Sequence, residues 1–247
     1  MHISEQLIRS TVFISAEIGA KILQDRNCPA TQSDSTGFFF EFDLDNKKEL
    51  VIVTNKHAIA NAKTFYFSII TKRNKNTYEP AIMRCENPNL WITHPDSNID
   101  LALLPLKSIP AFNERFSDII FMNPLTKDII PQENQISDIS YIENIITIGY
   151  PNGRRDRVNG FPIVTHGITS TPIMYNYNNY SGFLIDAIIE EGSSGSPVFV
   201  FDPINPERCF LVGIIQGFNN SMPLTTLNLV IHSQRLLDFI PLLKLQS

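Results

Sequence analysis

The sequence predicts an all-β protein built from barrels, and two observations lead to this prediction. Short apolar and β-branched runs recur along most of the 247 residues, and the stretches between them are short and contain turn-forming residues. This spacing favours antiparallel barrels over a βαβ sheet, in which helices would separate the strands. The predicted strands cover residues 10–16, 36–43, 49–54, 65–71, 100–106, 142–149, 163–169, 182–188, 197–201, 209–216 and 226–231.

Two segments depart from this strand pattern. Residues 107–140 lack regular alternation and contain three prolines, which predicts a crossing between two barrels, with helical turns near 112–121. The segment 233–240, SQRLLDFI, predicts a C-terminal amphipathic α-helix with Ser233 as its N-cap. A chain of this length can fold as one bilobal domain.

Composition argues against several functional classes. A net charge of −5 favours neither nucleic acid nor an anionic membrane surface, and no uncharged run is long enough to span a membrane. The N-terminus lacks the basic and apolar regions of a signal peptide. Cys28, Cys85 and Cys209 are an odd number without metal-ligand spacing, so we interpret them as reduced thiols. We therefore expect a cytoplasmic protein without a metal or another cofactor.

The segment 190–198, EEGSSGSPV, has the composition of a loop that presents one serine. Its glycines and serines allow the backbone to turn sharply and to expose its N–H groups. Ser194 could then attack a carbonyl while the amides of Gly192 and Ser194 form an oxyanion hole. The alternative is a plain Ser/Gly hairpin turn, and the choice depends on finding a base and an acid elsewhere.

Candidates for both lie upstream. His57 stands where the β-branched run 50–54 gives way to a short helical turn, and Asp100 stands at the head of the apolar run 101–106. A carboxylate beside so many leucines needs a partner, and a histidine N–H is a suitable one because that bond fixes the imidazole tautomer. The alternative is a strand-capping aspartate and an unrelated surface histidine.

Together these segments resemble the trypsin-like serine proteases. The three motifs are TNKHA at 54–58, DLALL at 100–104 and GSSGSP at 192–197, in the family's order of His, Asp and Ser. The segment 36–42, TGFFFEF, is similar to the family's early Gly-Phe strand. The resemblance extends from about residue 10 to residue 231.

The resemblance implies a fold and a domain layout. The fold would be two six-stranded Greek-key barrels with a C-terminal α-helix, forming one peptidase domain over residues 1–247. The N-terminal barrel would cover about 10–106, the crossing 107–140, the C-terminal barrel about 141–231 and the helix 233–247.

The resemblance also implies a chemistry. The chain would be a serine endopeptidase that cleaves polypeptides through a His57, Asp100 and Ser194 triad and an acyl-enzyme, with Gly192 and Ser194 as oxyanion donors. Many secreted members carry aspartate just before the nucleophile, where it pairs with a newly freed N-terminus. Ser193 cannot make that pair, so we expect activity without such cleavage, either constitutive or gated by a protein partner.

Specificity is predicted from the residues around the primary pocket. The resemblance implies that Ile188, six residues before the nucleophile, forms the pocket base, and that Gln216, Gly217 and Phe218 form its wall. An apolar base argues against a preference for Lys or Arg. One alternative function stays open, a protease-fold binding module that is catalytically silent or partner-gated.

Overall fold

The computed structural model describes residues 2–18, 31–45, 47–74, 77–112, 120–202, 205, 208–217 and 226–245. Strands dominate this part of the chain, as the short apolar runs predict. The strands are β1 Thr11–Ile18, β2 Thr31–Leu44, β3 Lys47–Thr54, β4 Ala62–Asn74, β5 Thr77–Cys85, β6 Ile92–Thr93, β7 Ala102–Pro105, β8 Leu125–Thr126, β9 Asn144–Gly149, β10 Ile163–Thr169, β11 Gly182–Ala187, β12 Pro197–Phe201, β13 Cys209–Gly217 and β14 Leu227–His232. The α-helices are α1 Ile3–Ser10, α2 Lys56–Ile59, α3 Glu133–Ser137 and α4 Ile240–Leu245, and 3-10 helices cover Pro88–Leu90, Leu106–Ser108, Lys127–Ile129, Pro151–Gly153 and Ser233–Phe239.

The first half of the chain forms one eight-stranded sheet. Its strand order is β5-β4-β1-β2-β3-β7-β6, with β8 added in parallel to β2. Thr54, the last residue of β3, lies opposite Ala102 of β7. This register brings the segment that follows β3 next to the loop that precedes β7, and the predicted histidine and aspartate lie in those two places.

The second half forms a closed six-stranded barrel. Its strand order is β10-β11-β14-β13-β12-β9. Pro197, the first residue of β12, lies opposite Ile214 of β13. The loop before β12 is thereby held beside the end of β13, because paired strands fix each other's termini.

A continuous apolar core joins the sheet to the barrel. Phe38 and Phe40 of β2 belong to the same buried cluster as Phe199 of β12, Leu211 of β13 and Phe239 near the C-terminus. Each of these side chains is at most 2% exposed. Burying one such side chain is worth roughly 1.5–3 kcal/mol, so this shared cluster stabilises the contact between the two halves.

The predicted all-β, trypsin-like architecture is confirmed, and most predicted strands lie within two residues of those observed. The prediction of two six-stranded barrels needs a correction, because within the described residues only the second half is a closed six-stranded barrel and the first half is an eight-stranded sheet. Strand β5 was not predicted. It contains Pro80, which normally argues against a strand, but β5 lies at the edge of the sheet, where a residue without an N–H is tolerated. The described residues contain no helix that is long and apolar enough to cross a membrane.

The prediction for the C-terminus needs a correction. A continuous α-helix capped by Ser233 was expected, but Ser233–Phe239 is a 3-10 helix and only Ile240–Leu245 is α-helical. The hydroxyl of Ser233 is buried without a hydrogen-bond partner, so it caps nothing. Pro241 has no N–H to donate to Leu237, and the N–H of Ile240 donates to the Leu237 carbonyl instead, which favours the tighter helix. The helical turns expected near 112–121 fall largely outside the described residues.

Candidate active site

The imidazole of His57 and the carboxylate of Asp100 are in direct contact. His57 lies in the first turn of α2, and its Nδ1 is 2.5 Å from Oδ2 of Asp100. The backbone N–H of His57 donates to the other carboxylate oxygen, Oδ1, at 3.0 Å. Because an ionised carboxylate only accepts, Nδ1 carries the proton, and the lone pair of Nε2 is left free to act as a base. The side chain of Asp100 is 16% exposed and that of His57 is 50% exposed.

A buried asparagine holds the backbone beneath this pair. Asn55 precedes α2, is fully buried, and donates from Nδ2 to the backbone carbonyl of Asp100 at 2.8 Å. The loop before β7 is therefore fixed to the start of α2 by a side-chain bond as well as by the pairing of β3 with β7. In the sequence Asn55 is recognisable only as part of the histidine motif, and nothing there indicates its bond to Asp100.

The loop that carries Ser194 leaves two backbone amides free. The N–H of Ser193 donates to the Glu190 carbonyl at 3.1 Å, and the N–H of Gly195 donates to the Ile215 carbonyl at 2.9 Å. Within the described residues, the N–H groups of Gly192 and Ser194 have no acceptor. These are the two amides that the sequence nominated as oxyanion donors.

The carbonyl groups of the same loop fix the direction of these free amides. The Glu191 carbonyl accepts from the N–H of Asn152 at 2.5 Å, and the Ser193 carbonyl accepts from the N–H of Ser196 at 3.0 Å. In a trans peptide the C=O and N–H point in opposite directions. The amides of Gly192 and Ser194 therefore face away from those partners, and Gly192 reaches this geometry with a φ of +87°.

The hydroxyl of Ser194 and the imidazole of His57 open into the same cleft. The cleft has a volume of about 500 Å³, and Gly217 also lines it. Ser194 Oγ donates to the Gln216 carbonyl over a long 3.5 Å, and no hydrogen bond of the described residues joins it to His57. A hydroxyl can rotate about its Cα–Cβ bond, and such contacts often tighten only when a substrate is bound.

The cleft is acidic. Asp34, Glu190 and Glu191 line it, and the carboxylate of Glu190 is paired with the Arg154 guanidinium at 2.8 Å. Glu191 is exposed. A cationic segment of a substrate would therefore be attracted to this rim, with a strength that depends on salt.

Only some of the residues predicted to form the primary pocket lie at the cleft. Gly217 lines the cleft and the Gln216 carbonyl contacts Ser194, whereas Phe218 lies outside the described residues. The prediction for Ile188 was wrong, because its side chain is 72% exposed and cannot be the closed base of a pocket. The alternation of exposed and buried residues in β11 continues past its last residue, so that Ile188 is exposed and the next residue, Ile189, is buried.

Tyr180 is bonded to Gln216, the residue that precedes Gly217 of the cleft. Its hydroxyl donates to the side-chain oxygen of Gln216. Burial, and then the negative charge of Asp100, raise the pKa of this phenol, so it stays protonated and remains a donor at neutral pH.

A two-part β architecture with a histidine–aspartate pair facing a serine loop across a cleft defines the class of trypsin-like peptidases. The family model described as "Trypsin-like peptidase domain" matches residues 35–202, which is more than half of the chain. The chain therefore belongs to the trypsin-like peptidase family.

Structural comparison agrees with this assignment. The crystal structure of the inactive form of Rv3671c from M. tuberculosis H37Rv, a serine-to-alanine mutant, has a TM-score of 0.51 to this chain at 16% identity. The match covers 95% of this chain and 86% of that one, so the two share the fold. No curated protein matches the chain in sequence.

Proposed function

We propose that this protein is a serine endopeptidase in which Ser194 is the nucleophile, His57 the general base and Asp100 the residue that orients the base. The observation that carries the proposal is the double contact between Asp100 and His57, made at the wall of a cleft that also contains Ser194. A surface histidine needs no such pair of bonds to one carboxylate. A general base does, because it must keep one tautomer and must be stabilised when it becomes protonated.

The chemistry follows from these roles. His57 Nε2 removes the proton of the Ser194 hydroxyl as Ser194 Oγ bonds to the scissile carbonyl carbon. The carbonyl oxygen becomes negative and accepts from the free amides of Gly192 and Ser194, each worth about 3–4 kcal/mol to the transition state. The protonated His57 then donates to the departing amine, which leaves an acyl-enzyme. A water molecule repeats the sequence and releases the carboxylic acid product.

Two observations weigh against a catalytically silent module. That alternative requires a buried Ser194 or a Gly192 amide that is turned away from the cleft. Ser194 is partly exposed, and the Glu191 carbonyl is bonded to Asn152, which keeps the Gly192 amide on the opposite side of that peptide.

We also propose a cytoplasmic location for this protein. Cys85 and Cys209 are free and buried, which is consistent with a reducing compartment.

A fluorophosphonate probe tests the proposed function. We expect it to add one mass increment to the wild type and none to Ser194→Ala, because only an activated serine displaces the fluoride. Ser193→Ala is the matched control, since it removes the adjacent hydroxyl from the same loop, and it should be labelled. Peptide hydrolysis should fall by about 10⁶-fold in Ser194→Ala. Equal labelling of the wild type and Ser194→Ala, or a wild type that neither reacts nor hydrolyses peptides, would contradict the proposal.

A further inference from the structure

Thr36 of β2 makes hydrogen bonds to the loop of Ser194 that have no role in the proposed catalytic steps. It is fully buried and belongs to the eight-stranded sheet, yet its hydroxyl reaches the loop that precedes β12 of the barrel. Oγ1 donates to the Gly192 carbonyl at 2.7 Å and accepts from the N–H of Tyr150 at 3.0 Å. The one proton of the hydroxyl is thus given to the residue that supplies an oxyanion amide.

The backbone of Thr36 is also hydrogen-bonded to the Ser194 loop and to β3. Its N–H donates to the Ser194 carbonyl at 2.9 Å. Its carbonyl accepts from the hydroxyl of Thr54 at 2.8 Å, three residues before His57. Thr36 is therefore bonded to both ends of the tripeptide 192–194 and to the end of β3, the strand that precedes the proposed base.

Two glycines leave the space that this arrangement needs. A Cβ on Gly149 would lie 2.9 Å from Oγ1 of Thr36, and a Cβ on Gly195 would lie 2.1 Å from its carbonyl oxygen. Contacts this short are not tolerated between non-bonded atoms. The close approach of Thr36 to the nucleophile loop thus depends on residues without side chains on both sides.

The bond to Gly192 matters because of what its carbonyl would do without it. A buried carbonyl that loses its donor costs free energy, so the peptide would tend to rotate until the oxygen finds water or another N–H. Such a rotation would also break the bond from the Ser193 N–H, which belongs to the same peptide, to the Glu190 carbonyl, and the rotated peptide would be open to water because Gly192 lines the cleft. Rotation of the peptide between Gly192 and Ser193 changes the backbone dihedrals on both sides of it, and it would turn the flanking amides of Gly192 and Ser194 out of alignment with a substrate oxyanion.

We infer that Thr36 is a positioning residue, which holds the oxyanion amides of Gly192 and Ser194 in their working orientation through its bonds to the two carbonyls. Ser193 carries no charge and cannot serve this purpose through an ion pair, so a buried hydroxyl from the first sheet does so. The inference rests on the proposed endopeptidase function and adds to it the residue that keeps the loop competent.

The test compares Thr36→Val, which keeps the shape and removes the donor, with Thr36→Ser, which restores it. We expect kcat of Thr36→Val to fall by about 10²-fold with KM little changed, as when an oxyanion donor is lost. Affinity for a peptide aldehyde, which binds as a hemiacetal with an oxyanion, should fall in parallel. Thr36→Ser should recover kcat to within about fivefold of the wild type. Thr147→Val is the matched control, since the hydroxyl of Thr147 is buried but has no partner, and it should leave kcat and aldehyde affinity unchanged.

Aldehyde affinity and melting temperature together distinguish a positioning role of Thr36 from a purely structural one. A structural role alone would lower the melting temperature without a selective loss of aldehyde affinity. Should Thr36→Val not fold, Thr36→Cys offers a poor donor of similar size, and the same selective loss is expected of it. An active wild type with a Thr36 variant that matches Thr147→Val in kcat and aldehyde affinity would overturn the inference and leave the proposed function standing. A wild type inert to the fluorophosphonate probe would instead overturn the proposed function.

Discussion

Replacing Asp100 by asparagine should disable the base while leaving its position almost unchanged. Asp100 Oδ1 accepts from the backbone N–H of His57 at 3.0 Å, and the asparagine carbonyl oxygen can keep this bond. The asparagine NH₂ group then takes the place of Oδ2, which lies 2.5 Å from Nδ1. Because an NH₂ group donates, it favours the tautomer that is protonated on Nε2, and that nitrogen can no longer accept the proton of Ser194. We expect kcat to fall by about 10⁴-fold, or roughly 5 kcal/mol of transition-state stabilisation.

The assay is hydrolysis of a fluorogenic peptide, with fluorophosphonate labelling measured on the same preparations. Asp96→Asn is the matched control: Asp96 is an exposed acid on the same loop whose carboxylate accepts from the N–H of Asn98, so kcat should be unchanged. Thermal melting of both variants should stay within a few degrees of the wild type, because the backbone bond is kept. If Asp100→Asn retains more than a tenth of wild-type kcat while Ser194→Ala is inactive, the orienting role assigned to Asp100 is wrong.

Three further predictions address pH, charge and the thiols. Burial lowers the pKa of His232 to about 4 from 6.5. Between these two pH values the unfolded chain binds a proton that the folded chain does not, so the free energy of unfolding should fall as the pH is lowered from 6.5 to 4, by at most about 3 kcal/mol. Denaturant titrations should show a smaller dependence of stability on pH for His232→Phe than for the wild type. Glu191→Gln should raise KM about three- to fivefold for peptides that carry Lys or Arg next to the cleaved bond and should leave neutral peptides unaffected, with the difference vanishing at high salt. Because burial raises the pKa values of Cys85 and Cys209, a Cys28→Ser variant should show no thiol reactive to a disulfide reagent until it is unfolded, and two thereafter.

The sequence was most informative where one residue type has few alternative explanations. His57, Asp100 and Ser194 could be proposed as candidates because each stands at the junction of an apolar strand and a polar turn, and the two candidate oxyanion amides followed from the glycine-rich loop. Strand β5 was missed because Pro80 and its charged neighbours conceal an edge strand, whose tolerance for proline depends on the sheet around it. Local patterns cannot indicate which strand will be an edge.

Contacts between distant segments were beyond the sequence for a different reason. Thr36 is recognisable as the start of a Gly-Phe strand, but its bonds to Gly192 and Ser194 span more than 150 residues of chain. Ile188 was misassigned because its place was carried over from the family by counting back from the nucleophile, and a shift of one residue at the end of a strand moves a side chain to the other face. Its neighbour Ile189 faces inward instead.

The apolar cluster that joins Phe38 of the sheet to Phe199 of the barrel has a consequence for how the protein unfolds on heating. Neither half can loosen without exposing side chains of the other, so the proposed catalytic groups, which come from both halves, should separate only when the whole domain unfolds. Loss of turnover and loss of β-sheet circular dichroism should therefore share one midpoint. A large-to-small substitution in this cluster, far from the cleft, should therefore lower the temperature at which activity is lost, even though it touches none of the proposed catalytic groups.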